Sequence, residues 1–193
     1  ATGTGKTVIS ALDYKRFRKQ NPKGPNRLLF IAHREEILDQ SIHCFRNVLR
    51  DENFGDLFVG NHRPSQISHL FMSIQTFNAQ AFADKTTPEF YDYIIVDEFH
   101  HAAAKSYQRL LDYYQPKILL GLTATPERMD GQEILSFFDN RIAAEIRLPE
   151  AIDRTAGDTL PLRCPPARPG PQHGLCLLAE YDYCPSGLLR RLY

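Results

Sequence analysis

Neither sign of charge is in excess in this chain: 23 Lys and Arg residues stand against 23 Asp and Glu, for a formal net charge of zero. The whole chain therefore carries no electrostatic footprint for nucleic acid, and a case for such a partner has to rest on local motifs. Long apolar runs are missing as well. No uninterrupted stretch approaches the ~20 residues that a membrane span needs. The opening residues Ala1-Thr2-Gly3-Thr4-Gly5-Lys6-Thr7 have neither the charged start nor the apolar stretch of a secretion signal, and no initiator Met precedes them. These absences point to a soluble protein of the cytoplasm. Cysteine is scarce, with four in 193 residues. Cys44 stands alone in a helical pattern, while Cys164, Cys176 and Cys184 match no zinc-binding spacing, which reads as unpaired thiols in a reducing compartment.

What is present suits one ordinary domain, or one domain with a tail: 193 residues, 42% hydrophobic and 24% charged. Up to about Arg154, short β-branched or aromatic runs alternate with longer amphipathic stretches, the pattern of an α/β fold with a mainly parallel sheet. Strands are expected at Arg27–Ala32, Asp56–Val59, Leu70–Ser73, Tyr93–Asp97, Ile118–Gly121 and Ile142–Ile146. Several are continuously apolar, as strands buried on both faces must be. Helices are expected from Lys6 to Gln20, stopped by the turn cluster Asn21-Pro22-Lys23-Gly24-Pro25-Asn26, and from Glu35 to Arg50. Two more should run from Ala103 to Tyr113 and from Asp130 to Phe138. In the second helix Ile37, Leu38, Ile42, Phe45, Val48 and Leu49 recur at helical spacing, which puts His43 and Cys44 on or beside its packing face as structural residues. From Thr155 to Tyr193 periodicity fades and prolines accumulate, so residues 155–193 read as an irregular tail after a domain at 1–154.

Two segments carry recognisable chemistry. Gly3-Thr4-Gly5-Lys6-Thr7, running straight into a helical pattern, is most of a phosphate-binding loop of the form G-x-x-x-x-G-K-[ST]. Glycines let successive backbone N–H groups turn toward phosphates, the helix N-terminus adds partial positive charge, Lys6 reaches the β- and γ-phosphates, and the Thr7 hydroxyl suits Mg²⁺. About ninety residues later, Ile94-Ile95-Val96-Asp97-Glu98 is an apolar strand that ends in two acids. Such a strand delivers its last residues to the carboxyl edge of the sheet, where open α/β sheets bind ligands. There Asp97 can hold Mg²⁺ and Glu98 can orient and deprotonate an attacking water. A zinc site made from His100, His101 and a cysteine is disfavoured, because no ligand pair has compact spacing.

Gly3–Thr7, Asp97-Glu98-Phe99-His100 and Thr123-Ala124-Thr125 resemble motifs I, II and III of superfamily 2 DEAD/DEAH-type helicases, in the right order. Leu29 to Gln40, with His33-Arg34 at its centre, resembles motif Ia, and Ser73-Ile74-Gln75-Thr76-Phe77 resembles the segment that follows it in DNA-directed members. The match runs from Ala1 to about Arg154. Asp97-Glu98-Phe99-His100-His101 and Gly121-Leu122-Thr123-Ala124-Thr125-Pro126-Glu127-Arg128 look most like the branch of type I and III restriction-enzyme helicase subunits and repair translocases. DEAD-box proteins acting on RNA have Asp where His100 stands.

The resemblance implies a RecA-like P-loop NTPase domain, a three-layer sandwich that binds ATP and Mg²⁺ against a second RecA-like domain. Nucleic acid, DNA rather than RNA, lies across both. It implies that Gly3, Thr4, Gly5, Lys6 and Thr7 hold nucleotide, that Thr7 and Asp97 hold Mg²⁺, and that Lys6 and Glu98 act in hydrolysis. His100, Thr123 and Thr125 would couple the nucleotide to the nucleic-acid path, and His33, Arg34, Gln75 and Thr76 would touch the phosphate backbone. For His33 and Arg34 a solvated turn is the competing reading. A nuclease or restriction/repair module would be a natural neighbour in the intact parent.

The resemblance also implies what is missing: the first strand, entering the phosphate loop, and the second domain with its arginine finger. Loss of that strand should expose two strand edges and weaken the fold. The Pro/Cys/Arg-rich tail reads as foreign to the preceding pattern, as a shifted reading frame would make it. The alternative to an active motor is therefore an incompetent fragment that at most binds nucleotide or DNA weakly.

Overall fold

The computed structural model describes residues 6–99 and 105–123, and as backbone alone the strands at 142–146 and 174–180; of residue 123 too only the backbone is described. Helix α1 (Lys6–Gln20) leads to β1 (Leu28–Ala32), α2 (Glu35–Leu49), β2 (Asp56–Phe58) and β3 (His69–Ser73). A short α3 (Ile74–Ala79) and a 3₁₀ turn (Phe82–Lys85) precede β4 (Tyr93–Val96), α4 (Lys105–Tyr113) and β5 (Ile118–Thr123), followed by β6 (Ile142–Ile146) and β7 (Gly174–Glu180). The strands form one sheet in the order β2-β3-β1-β4-β5-β7-β6, and every pairing is parallel.

Alternation along the buried strands splits the core into two layers. Leu28, Phe30 and Ala32 of β1, Tyr93 and Ile95 of β4 and Leu120 and Leu122 of β5 pack with α1 and α2. Leu29, Ile31, Ile94, Val96 and Leu119 face the other way, toward Phe77, Phe82, Tyr107 and Leu110. Burying each of the larger side chains is worth roughly 1.5–3 kcal/mol. The three-layer α/β architecture expected from the sequence is the one observed. Helix α2 links β1 to β2 over one face, while α3 and α4 lead to β4 and β5 over the other, so the chain moves outward in opposite directions from β1. Right-handed parallel crossovers require that change of face.

Helix α1 shares α2's face and is fixed there from its middle. Ala11, Tyr14 and Phe17 recur at three-residue steps and are buried. The Tyr93 hydroxyl donates to Asp13 Oδ2 at 2.5 Å, joining α1 to β4 inside the core. The Tyr14 hydroxyl donates to the Asn26 carbonyl at 2.5 Å, tying the helix to the turn before β1. Helix α2 ends at Arg50 in the left-handed conformation, φ 57° and ψ 46°, with its N–H turned back onto the carbonyls of Arg46 and Asn47. Gly55 follows at φ +72°, and a Cβ there would lie 2.8 Å from the Phe71 ring, so both backbone and space call for glycine.

The helices and strands lie close to their expected bounds, with three additions. Helix α3 and the 3₁₀ turn fill a segment for which no helix was expected, and the strand Gly174–Glu180 interrupts the stretch expected to be irregular. That strand pairs with β5 from Ile118↔Gly174 to Thr123↔Ala179 and with β6 on its other side. The edges expected to stand open are therefore paired, because a short run with strand geometry satisfies β5's free donors and acceptors. His43 is exposed rather than packed, its Nδ1 lying 2.7 Å from the Asp39 carbonyl oxygen, whereas Cys44 is half-buried and its thiol pKa is raised by burial. The helix expected at Asp130–Phe138 lies outside the described residues, as does the rest of the tail.

His69, at the start of β3, stacks on Phe54 with ring centroids 4.6 Å apart and lies 3.4 Å from the Tyr14 hydroxyl through Nδ1. Burial, then the positive charge of Arg18, push its pKa from 6.5 down to about 4. Between those values the unfolded chain takes up a proton that the folded chain refuses, so stability falls as pH drops through this window. Urea midpoints measured from pH 7 to pH 5 should decline, and less steeply for His69→Gln. Equal slopes for the two proteins would rule out His69 as the source.

Candidate functional site

The carboxyl edge of the sheet gathers the candidate residues. Helix α1 runs antiparallel to the strands, so its start points to the same edge at which β4 ends. From the Asp13–Tyr93 bond, α1 rises roughly 10 Å back to Lys6, and β4 advances roughly 13 Å to Asp97. Lys6-Thr7 and Asp97-Glu98 therefore reach a similar level at the same edge of the sheet. Lys6 and Thr7 are half-buried, and the Ser10 hydroxyl donates to the Thr7 carbonyl at 2.9 Å within the first turn.

The end of β4 is tightly specified. The Asp97 N–H donates to the Ile31 carbonyl at 2.8 Å, extending the ladder by one residue, and the Asp97 side chain is only 7% exposed. Its Oδ1 accepts the Glu98 N–H at 2.9 Å. Glu98 sits at φ 51°, in the left-handed region that non-glycine residues rarely enter. Such strain, of order 1–3 kcal/mol, persists only where the surroundings impose it, and it concentrates at functional turns. Here the turn keeps Asp97 buried at the strand end, leaves Glu98 half-buried and sends Phe99 fully into the core.

A second cluster lies at the ends of β1 and β3, which pair in register through Ala32↔Ser73. The Gln75 amide donates to His33 Nδ1 at 3.0 Å, so two of the four residues expected at a nucleic-acid path touch directly. Arg34 is exposed and occupies the N-cap of α2 without a capping side-chain bond, where Glu35 and Glu36 in the first turn complement the helix dipole. Thr76 is differently engaged. Ser73 Oγ accepts the Thr76 N–H at 3.1 Å and donates to the Thr76 hydroxyl at 2.9 Å, capping α3. That cap went unnoticed in the sequence, although a serine at the end of an apolar strand, three residues before a threonine, is a legible helix-start signal. Asn78 then donates to the Ser106 carbonyl at 2.9 Å and joins α3 to α4.

Gly3, Thr4, Gly5, His100 and Thr125 lie outside the described residues, and Thr123 is described only as the last residue of β5. Among the described residues no helix is long and apolar enough to cross a membrane, and no group of three or more His, Cys, Asp or Glu could hold a metal ion.

Comparison with known proteins adds three findings. The family model described as type III restriction enzyme, res subunit (ResIII), matches residues 1–128. Among curated proteins the chain is 29% identical over 140 residues to a 51.5 kDa protein of a Lactococcus phage, covering 72% of this chain and 26% of that protein. It is 28% identical over 151 residues to the type I restriction enzyme EcoAI endonuclease subunit of Escherichia coli, covering 74% of this chain and 18% of that protein. The chain thus spans about a quarter or less of the length of these relatives. Among solved structures, the Pyrococcus furiosus Hef helicase domain superposes with a TM-score of 0.57 at 22% identity, over 70% of this chain and 31% of that one. That likeness concerns the fold.

Ser73→Ala should cost about 1 kcal/mol through loss of the α3 cap. The thermal midpoint would drop by roughly 2–4 °C. An unchanged midpoint would show that α3 is held by its packing alone.

Proposed function

We propose, from the premise that the chain belongs to the ResIII family of helicase-type proteins, that it carries the ATP-binding half of a nucleic-acid-dependent ATPase whose intact parent moves along DNA. The observation that supports this most is the common sheet edge toward which the start of α1, with Lys6-Thr7, and the end of β4, with Asp97-Glu98, are both directed. A phosphate-binding cation and two acids at one strand end are what nucleotide hydrolysis needs.

In this reading the backbone of Gly3, Thr4 and Gly5 and the Lys6 ammonium hold the phosphates. The Thr7 hydroxyl and Asp97 carboxylate are the hard oxygen donors that Mg²⁺ takes. Asp97, 7% exposed at a strand end, suits that task, since a buried carboxylate is costly until charge or hydrogen bonds compensate it. Bound Mg²⁺ would neutralise charge on the phosphate oxygens. Glu98, half-buried beside Asp97, accepts the proton of the attacking water. His100, Thr123 and Thr125 pass nucleotide state toward the second cluster, where the linked His33 and Gln75, exposed Arg34 and Thr76 offer donors to a phosphate backbone. A second RecA-like domain supplies the arginine finger, and a nuclease or restriction/repair module accompanies the motor.

For the chain by itself, weak binding of nucleotide or DNA without turnover is the second reading. The intact parent should hydrolyse ATP faster when DNA is added, and Lys6→Ala or Glu98→Gln should each lower turnover by about 100-fold or more. DNA-stimulated hydrolysis that survives both substitutions would refute the assigned roles.

A further inference from the structure

Tyr107 lies in α4, on the far side of the sheet from α1, and is only 1% exposed. Its ring packs in the cluster that contains Val96 and Phe99, the residues on either side of the Asp97-Glu98 pair. Its hydroxyl is buried and has no hydrogen-bond partner among the described residues. A buried hydroxyl in that state is unfavourable, and phenylalanine would fill the same space without the penalty. Packing alone therefore accounts for the ring and not for its oxygen. The charges that bear on that oxygen are the site's own acids: burial, then the negative charges of Glu98 and Asp97, push the phenol up to about 12. A phenol that keeps its proton beside carboxylates can serve them only as a donor. Glu98, meanwhile, is held at φ 51° on a turn in which its N–H donates to Asp97, a bond that fixes the backbone and does not aim the carboxylate.

We propose that Tyr107 is a positioning residue for hydrolysis: its hydroxyl donates to the Glu98 carboxylate in the nucleotide-bound state and aims that base at the attacking water. The proton of the water goes to Glu98, and Tyr107 keeps its own throughout. A hydrogen bond to a charged acceptor is stronger than one between neutral groups, so the buried hydroxyl recovers its cost only when the site is assembled. The role rests on the ATPase reading given above.

The test uses the intact parent, with DNA present, and compares wild type, Tyr107→Phe and Glu98→Gln. Tyr107→Phe should lower kcat about tenfold, the loss of one charge-assisted hydrogen bond. KM for Mg²⁺-ATP should stay within about twofold, because an interaction made only on the way to the transition state leaves ground-state binding alone. The thermal midpoint of the nucleotide-free protein should hold or rise. Unchanged kcat overturns the proposal, and so does a fall in kcat accompanied by a lower midpoint, which packing would explain. Full turnover in Glu98→Gln overturns the ATPase roles and this one together, whereas wild-type kcat in Tyr107→Phe beside an inactive Glu98→Gln overturns the positioning role alone.

Discussion

The Tyr93 hydroxyl and the Asp13 carboxylate meet inside the core, and the rest of the candidate site depends on that meeting. Tyr14 and Phe17 pack edge-on against the same Tyr93 ring, at centroid distances of 5.4 Å each. Together these contacts fix the height of α1 along β4. A helix slipped by one turn would move its start by about 5.4 Å, and Lys6 would no longer stand level with Asp97. One buried polar bond inside an aromatic cluster thereby sets the register between the two halves of the candidate nucleotide site. The acid that makes it lies in the third turn of α1, well away from any phosphate.

The two core layers do different work at the carboxyl edge. The α1/α2 layer carries the phosphate-loop side. The α3/α4 layer lies beneath the turn after β4, where Phe99 is buried and Tyr107 packs. Glu98 is caught between them in a strained conformation, its N–H on Asp97 and its following residue drawn into the core. The second cluster uses the same layer: α3 is capped by Ser73 at the end of β3 and joined to α4 by Asn78, so Gln75, Thr76 and Tyr107 belong to one packed unit. The segment that carries Gln75 and Thr76 is thus tied to α4 by the Asn78–Ser106 bond.

The sheet also shows how a parallel strand edge is completed. β7 comes from a stretch with little periodicity, yet Gly174–Glu180 runs beside β5 over six residue pairs. Helix α1 lies over the face that right-handed crossovers reach when moving toward β2, so a strand leading into α1 would stand on the far side of β5, where β7 is found. The demand for hydrogen bonding at that edge is stronger than the weak strand preference of the sequence that meets it.

Much of this was legible from residues alone. Continuous apolar runs located β1, β3, β4 and β5 because strands buried on both faces leave no room for polar alternation. The turn cluster at Asn21–Asn26 located the end of α1 because proline and glycine cannot continue a helix. The motif strings Gly3–Thr7 and Asp97–His100 carried the family resemblance, and the ResIII model matches residues 1–128. Helix α3 escaped notice because six residues are too few to show a period, and its start depends on a single serine cap. The strand at Gly174–Glu180 escaped because its edge partners, not its own pattern, make it a strand. Only the tertiary structure could decide that His33 meets Gln75, that His43 faces solvent, that Glu98 is held in the left-handed region and that the Tyr107 hydroxyl lies buried without a hydrogen-bond partner among the described residues. Each of those facts joins residues that are distant in sequence or imposes a backbone state against local preference, and periodicity carries no information about either.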